Sequence, residues 1–119
     1  MYRRWDDAHG VSGTDAPDPV PAQALAALDP ANPGALAALV RNDLQAPAVE
    51  LLPALANVLD HGVELGALTG WVSGSGPTVC FLARTADAAE QLVRAFSREG
   101  HRALATAAPV PGARVDARG

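Results

Sequence analysis

The sequence predicts an α+β domain, an antiparallel sheet with helices on one face. Three observations predict it. Residues 71–72 and 79–83 are short apolar runs with Val, Trp and Phe, bounded by Gly and Pro as strands are. From 85 to 98 the apolar residues fall at helical spacing instead. Upstream of the first run, Leu and Val recur every three or four residues over two further stretches, which marks helices with one apolar side.

Taken in order, residues 2–9 form a short helix with Tyr2 and Trp5 on one side, joined by Ala8 or His9. Residues 10–21 hold three Pro, two Gly, two Asp, a Ser and a Thr, the composition of an exposed flexible loop. Residues 22–28 favour helix and stop at Asp29-Pro30. Asn32-Pro33 then sets a capping side chain before a Pro at the first helical position, where a missing N–H costs nothing. The helix it opens carries Leu36, Leu39, Val40 and Leu44 on one face, and that face is expected to be buried. Pro47 interrupts the period, so a kink or short turn is expected near Gln45-Ala46. Helical spacing resumes with Leu51, Leu52, Leu55, Val58, Leu59 and Val63, and Gly66 ends it.

Val79 to Ala83 is apolar throughout, as expected for a strand covered on both faces. Thr85 caps a helix whose Ala89, Leu92, Val93 and Phe96 form one stripe. Asp87 near its start and Arg94 and Arg98 near its end complement the helix dipole. Gly100 stops that helix, and residues 102–108 read as a final strand. Residues 109–119 turn rich in Pro, Gly and Arg and are expected to be a disordered tail. Strand, loop, strand, helix, strand is the second half of a ferredoxin-like βαββαβ domain. The first strand of that fold is missing from the pattern, which leaves a sheet edge unpaired and predicts lowered stability or self-association.

At 119 residues the chain suits one domain, here 1–108 with the 10–21 loop inside it. Apolar residues make up 49%, but 26 of them are Ala and none is Ile, so the core is expected to be thin. A net charge of −4 without any basic stripe argues against nucleic acid as a partner. No apolar run approaches the roughly 18 residues of a membrane span, and no signal peptide opens the sequence. A single Cys80 allows no internal disulfide and suits a cytoplasmic location.

Ser73-Gly74-Ser75-Gly76-Pro77-Thr78 separates the two strands. Glycines let several backbone N–H groups turn toward one point, and concavities of that kind bind anions such as phosphate. The hydroxyls of Ser73, Ser75 and Thr78 add donors. The segment is no P-loop, since the chain contains no Lys. Nor is it a dinucleotide fingerprint, because the third Gly is missing and a strand follows. The same composition also fits a plain tight hairpin, with Gly supplying positive φ and Pro opening the next strand.

Other polar residues point less far. Asp60 and Glu64 sit one helical turn apart, an acid/base couple only if a cleft perturbs them and otherwise a solvated face. His9, His61 and His101 lack metal-ligand spacing. Cys80 in an apolar strand behaves as a small hydrophobe. Ser73 and Ser75 lack a His/Asp partner and do not match a nucleophile elbow. Asn42 and Asp43 are expected to bond locally to backbone at a helix end.

Two motifs in a fixed order carry a resemblance. Asn42-Asp43-Leu44-Gln45-Ala46 precedes Val72-Ser73-Gly74-Ser75-Gly76-Pro77-Thr78, and Tyr2-Arg3-Arg4-Trp5-Asp6 opens the sequence. The combination, over residues 2–108, resembles the C-terminal domain of the GHMP kinases. The resemblance implies the ferredoxin-like fold and ATP-dependent phosphorylation of a small molecule. More narrowly, it implies transfer to the 2-hydroxyl of 4-diphosphocytidyl-2-C-methyl-D-erythritol in the non-mevalonate route to isoprenoid precursors, with ATP and Mg²⁺ as cofactors. It places Ser73, Gly74, Ser75, Gly76, Pro77 and Thr78 near the ATP phosphates and substrate, at an interface with an N-terminal domain.

In kinases of this family that second domain carries the ATP loop, a catalytic Asp and an early Lys. None has a counterpart here, so no catalytic residue is assigned. The chain resembles the carboxyl-terminal part alone, from a truncated gene or a start misplaced at Met1. It is expected to be inactive by itself, with the N-terminal kinase domain as its structural partner. The competing expectation is a non-catalytic ferredoxin-like module that binds a small anion or a partner domain.

Overall fold

The structure is a computed structural model that describes residues 2–10 and 19–116. Six helices and two strands follow one another: α1 (Tyr2–His9), α2 (Ala22–Ala26), α3 (Pro33–Ala37), α4 (Gln45–Leu51), α5 (Ala54–Glu64), β1 (Thr69–Val72), β2 (Val79–Leu82) and α6 (Ala86–Arg98). Most of the loop expected at 10–21 and the last three residues of the expected tail lie outside the described residues. The side chains of Ala8 and His9 do too.

Helix ends form where local chemistry asks for them. Asn32 Oδ1 accepts the Ala35 N–H at 3.2 Å, with Pro33 opening α3. Thr85 Oγ1 accepts the Ala88 N–H at 3.1 Å at the start of α6. The ends of α5 and α6 share one bonding pattern, in which two successive N–H groups beyond the helix satisfy its last carbonyls. Ala67 donates to Gly62 at 3.0 Å and Gly66 to Val63 at 2.9 Å; His101 donates to Phe96 at 3.0 Å and Gly100 to Ser97 at 3.1 Å.

The region between residues 33 and 53 departs from expectation. α3 stops at Ala37, so Leu36, Leu39, Val40 and Leu44 do not share one buried face, and Leu39 is 42% exposed. Beyond α3 the Asn42 side chain makes a turn ahead of the next helix, its Oδ1 taking the Leu44 N–H at 3.1 Å. A new helix begins at Gln45. Pro47 therefore falls in the first turn of α4, where no intrahelical N–H is needed, and the helix passes through it without a break. The second expected helix is also divided, because Pro53 forces Leu52 to extended backbone between α4 and α5. Leu51 and Leu52 are left exposed.

β1 and β2 pair antiparallel, with Thr69 opposite Leu82, Gly70 opposite Phe81, Trp71 opposite Cys80 and Val72 opposite Val79. Gly70, Val72, Val79 and Phe81 face the helices, while the other face carries Trp71, Cys80 and Leu82, all half-buried. α4, α5 and α6 pack against the Val79 and Phe81 side of β2, and all four residues of the strand are half-buried rather than buried as cover on both faces would make them. Residues 102–108 form no strand among the described residues, and Leu104 is 82% exposed. Their composition suits a strand, but no neighbouring backbone lies within hydrogen-bonding reach.

The core is as thin as the Ala-rich composition predicts. One cluster joins Ala48, Leu55 and Val72, and a second joins Ala67, Leu92 and Phe96. Phe81 extends the second cluster, its ring stacked on Phe96 with centroids 5.2 Å apart. Two glycines make room for that ring. A Cβ on Gly62 of α5 would stand 2.0 Å from Phe81 Cε1, and one on Gly70 of β1 would stand 2.6 Å from the same atom.

Candidate functional site

The hairpin tip turns through Ser73–Thr78. Ser73 N–H donates to the Thr78 carbonyl at 2.8 Å, continuing the ladder one residue beyond β1. Gly76 N–H donates back to the Ser73 carbonyl at 3.0 Å and closes the turn. Gly74 (φ 57°) and Gly76 (φ 75°) both hold the left-handed conformation that side chains disfavour. The Gly76–Pro77 peptide is cis. The amides of Ser73 and Gly76 are thus spent within the turn. Among the described residues no hydrogen bond is made by the amides of Gly74, Ser75 and Thr78, and Ser73, Ser75 and Thr78 are exposed.

Residues 42–45 hold this tip from outside. Antiparallel pairing turns the backbone groups of alternate residues away from the partner strand, and at Val72 they turn away from β2. Gln45 Oε1 accepts the outward Val72 N–H at 3.0 Å. Asn42 Nδ2 donates to the Val72 carbonyl at 2.7 Å and also to the Gly74 carbonyl at 2.7 Å. An Asn and a Gln supply a donor and an acceptor together, which is what one unpaired peptide requires. The expected local bond of Asn42 is present too, to the Leu44 N–H. Asp43 beside it is exposed and makes no comparable contact. From the sequence, Gln45 enters only as part of the Asn42–Ala46 stretch and the kink expected there, with no contact assigned to it. Its spacing of three from Asn42, two neutral amides across a helix start, is the signal that points to it.

The family model described as "GHMP kinases C terminal" matches residues 22–102, a span that includes both the Asn42–Gln45 segment and the hairpin tip. The chain belongs to the GHMP kinase C-terminal family. Among relatives of this GHMP kinase domain, the 4-diphosphocytidyl-2-C-methyl-D-erythritol kinase of Nocardia farcinica is 54% identical over 95 residues, covering 78% of this chain and 30% of the relative. The protein of the same name from Mycolicibacterium smegmatis is 46% identical over 114 residues, covering 94% of this chain and 34% of the relative. That from Paenarthrobacter aurescens is 39% identical over 117 residues, covering 97% of this chain and 37% of the relative. The GHMP kinase domain described here therefore spans about a third of the length of these curated relatives.

The remaining polar candidates of this GHMP kinase domain lie away from the tip. Asp60 and Glu64 are both exposed on α5, as a solvated face would be. His61 stands between them and binds Glu99 beyond α6, Nε2 to Oε1 at 2.9 Å, with Glu64 at 3.7 Å on its other nitrogen. The hydrogen bond to Glu99 raises the His61 pKa above its ordinary 6.5. His101 packs edge-on against the Phe96 ring, centroids 5.6 Å apart. Cys80 is a free thiol opposite Trp71. No group of three or more metal-ligating side chains occurs among the described residues. No helix among them is long and apolar enough to cross a membrane.

Proposed function

We propose that this chain is the loop-bearing C-terminal part of an ATP-dependent kinase that phosphorylates the 2-hydroxyl of 4-diphosphocytidyl-2-C-methyl-D-erythritol. The held hairpin tip carries this reading. Gly74 and Ser75 keep unused N–H groups on a turn that Asn42 and Gln45 anchor, and relatives of that kinase name match the chain along 117 residues. Phosphoryl transfer rests on positioning and charge stabilisation rather than covalent help from the protein. The role assigned to Ser73–Thr78 is to hold phosphate oxygens through the Gly74 and Ser75 amides and the Ser73, Ser75 and Thr78 hydroxyls, facing a second domain that carries the nucleotide loop.

These donors fit the phosphates of ATP. They do not fit Mg²⁺, which takes oxygen ligands and favours carboxylates, because the tip contains no carboxylate. On this reading magnesium belongs to the nucleotide and the other domain, and residues 1–108 form the structural unit.

A chimaera tests the proposal: this chain replaces the matched third of the M. smegmatis relative, and ATP-dependent phosphorylation of the cytidyl substrate is followed. The chimaera turns over and the isolated chain does not. A chimaera that is folded by circular dichroism but silent defeats the reading. The hold on the tip is internal to this chain, which favours one alternative, a stand-alone anion-binding module. A silent chimaera, together with saturating shifts of the Gly74 and Ser75 amides when inorganic phosphate is added to the isolated chain, selects that alternative.

A further inference from the structure

The two unused amides at the centre of the hairpin tip are aimed by different parts of the chain. In a trans peptide the carbonyl and the N–H lie on opposite sides of the unit, so a bond that holds one sets the direction of the other. The Ser73–Gly74 and Gly74–Ser75 peptides are both trans. The Ser73 carbonyl accepts the Gly76 N–H at 3.0 Å, which turns the Gly74 N–H outward from the turn. That bond lies inside the tip. The Gly74 carbonyl instead accepts from Asn42 Nδ2 at 2.7 Å, and no other described residue bonds to it. The Ser75 N–H therefore points away from Asn42, on an exposed residue, and nothing else among the described residues fixes its direction.

The bonds to Val72 act on peptides that the sheet already holds. Its N–H, taken by Gln45 Oε1 at 3.0 Å, shares a peptide with the carbonyl of Trp71, which stands opposite Cys80 in the ladder. Its carbonyl, taken by Asn42, shares a peptide with the Ser73 N–H, which the Thr78 carbonyl holds at 2.8 Å. Only the Gly74–Ser75 peptide depends on a side chain for its orientation.

Resting on the reading that the tip holds phosphate oxygens, we propose that Asn42 is a positioning residue for that site. Through the Gly74 carbonyl, 32 residues away in sequence, it aims the Ser75 N–H at the phosphate. A donor aimed before the ligand arrives needs no reorganisation on binding, and bonds to an ionised oxygen are the strong ones. Asn42 touches no ligand and acts through this one peptide. Gln45 fastens the base of the hairpin and does not aim the tip.

Nitrogen-15 relaxation in the isolated chain tests the aim. Asn42→Asp keeps the oxygen that takes the Leu44 N–H and removes the donor; Asn42→Ser also keeps an oxygen there, is one bond shorter and adds no charge. In both, the Ser75 amide order parameter falls from about 0.85, the rigid-backbone value, to below about 0.6, while that of Gly74 stays. Gln45→Ala leaves Ser75 ordered. Equal loss at Gly74 and Ser75, loss in Gln45→Ala, or an ordered Ser75 in the Asn42 variants overturns the proposal. In the chimaera with the M. smegmatis relative, both Asn42 variants lower kcat/KM for ATP at least tenfold and Asp43→Ala stays within twofold. Equal effects overturn the proposal, and so does an effect confined to Asn42→Asp, which is charge repulsion. A silent parent chimaera removes the kinase assignment and leaves the aim to be read from inorganic phosphate added to the isolated chain. There both Asn42 variants weaken binding at least tenfold, and a parent that binds no phosphate, or variants that bind as tightly as the parent, overturn the proposal.

Discussion

The side-chain amide of Asn42 donates to the carbonyl of Val72 at 2.7 Å, across 30 residues of sequence. Val72 is 0% exposed, so the bond fastens the segment before α4 to a hairpin residue that cannot move without opening the core. The same nitrogen reaches Gly74 in the turn itself. A helix start and a loop that look independent in sequence are thereby one mechanical unit.

Asn42→Ala removes both bonds and the local one from the Leu44 N–H, and leaves a partly buried carbonyl unpaired. A net hydrogen bond contributes about 1 kcal/mol, so a loss of about 2–3 kcal/mol is expected. Urea unfolding followed by circular dichroism measures it. Asp43→Ala, one residue along and exposed, stays within about 0.5 kcal/mol. Equal effects of the two substitutions would mean the Asn42 contacts contribute nothing.

Gly62→Ala places a methyl group where the Phe81 ring stands, at 2.0 Å from Cε1. Alanine is otherwise the better helix former by about 1 kcal/mol, so propensity alone predicts stabilisation. The clash reverses that sign, with overpacking costing about 1–3 kcal/mol. Pairing Gly62→Ala with Phe81→Leu recovers part of the loss, and a double-mutant cycle reads the coupling directly. Additive losses would show that the ring is not the obstacle.

What was legible in the sequence follows a physical division. The caps at Asn32 and Thr85 and the stops at Gly66 and Gly100 are bonds spanning three to five residues, so both partners lie within one local window. The two strands and the Gly-containing turn between them are similarly local. The local bond of Asn42 was legible, but the long-range bonds of Asn42 and Gln45 escaped because their partner is the backbone of Val72, and a backbone carries no sequence signature. Gly62 reads as a weak helical position until the ring that fills its space is known. The strand expected at 102–108 failed for the opposite reason: a strand needs a neighbouring segment, which its own composition cannot supply.

His61 gives the chain a pH-dependent contact between α5 and the end of α6. Its pKa is raised mainly by the hydrogen bond to Glu99 at 2.9 Å, with Glu64 adding to it. A group whose folded pKa lies above its unfolded value stabilises the fold when protonated. That contribution is complete below about pH 6.5 and fades as pH rises through the raised value. The melting temperature therefore falls between pH 6 and 8.5, and Glu99→Gln reduces that slope. His61→Ala costs stability at both ends of the range, because the edge-on contact with Phe96, centroids 5.7 Å apart, does not depend on charge. A Glu99→Gln slope equal to the parent's would show that another group controls the pH response.

The two glycines of the hairpin tip should separate in their tolerance of side chains. Both lie in the left-handed region, where a side chain costs about 1–2 kcal/mol and Asn is among the few residues that visit it routinely. A Cβ on Gly74 meets nothing within 4 Å, whereas one on Gly76 comes within 3.1 Å of Val72 Cγ1. Gly74→Asn is therefore close to neutral in thermal unfolding and Gly74→Ala loses about 1 kcal/mol. Both substitutions at Gly76 cost more than their Gly74 counterparts, since relief of backbone strain leaves the contact with the buried valine in place. Amide spectra of Gly74→Asn keep the Ser73 and Gly76 resonances, because the bond that closes the turn runs between those two residues. Should Gly76→Asn prove as mild as Gly74→Asn, the valine contact is soft and the turn is held by Asn42 and Gln45 alone.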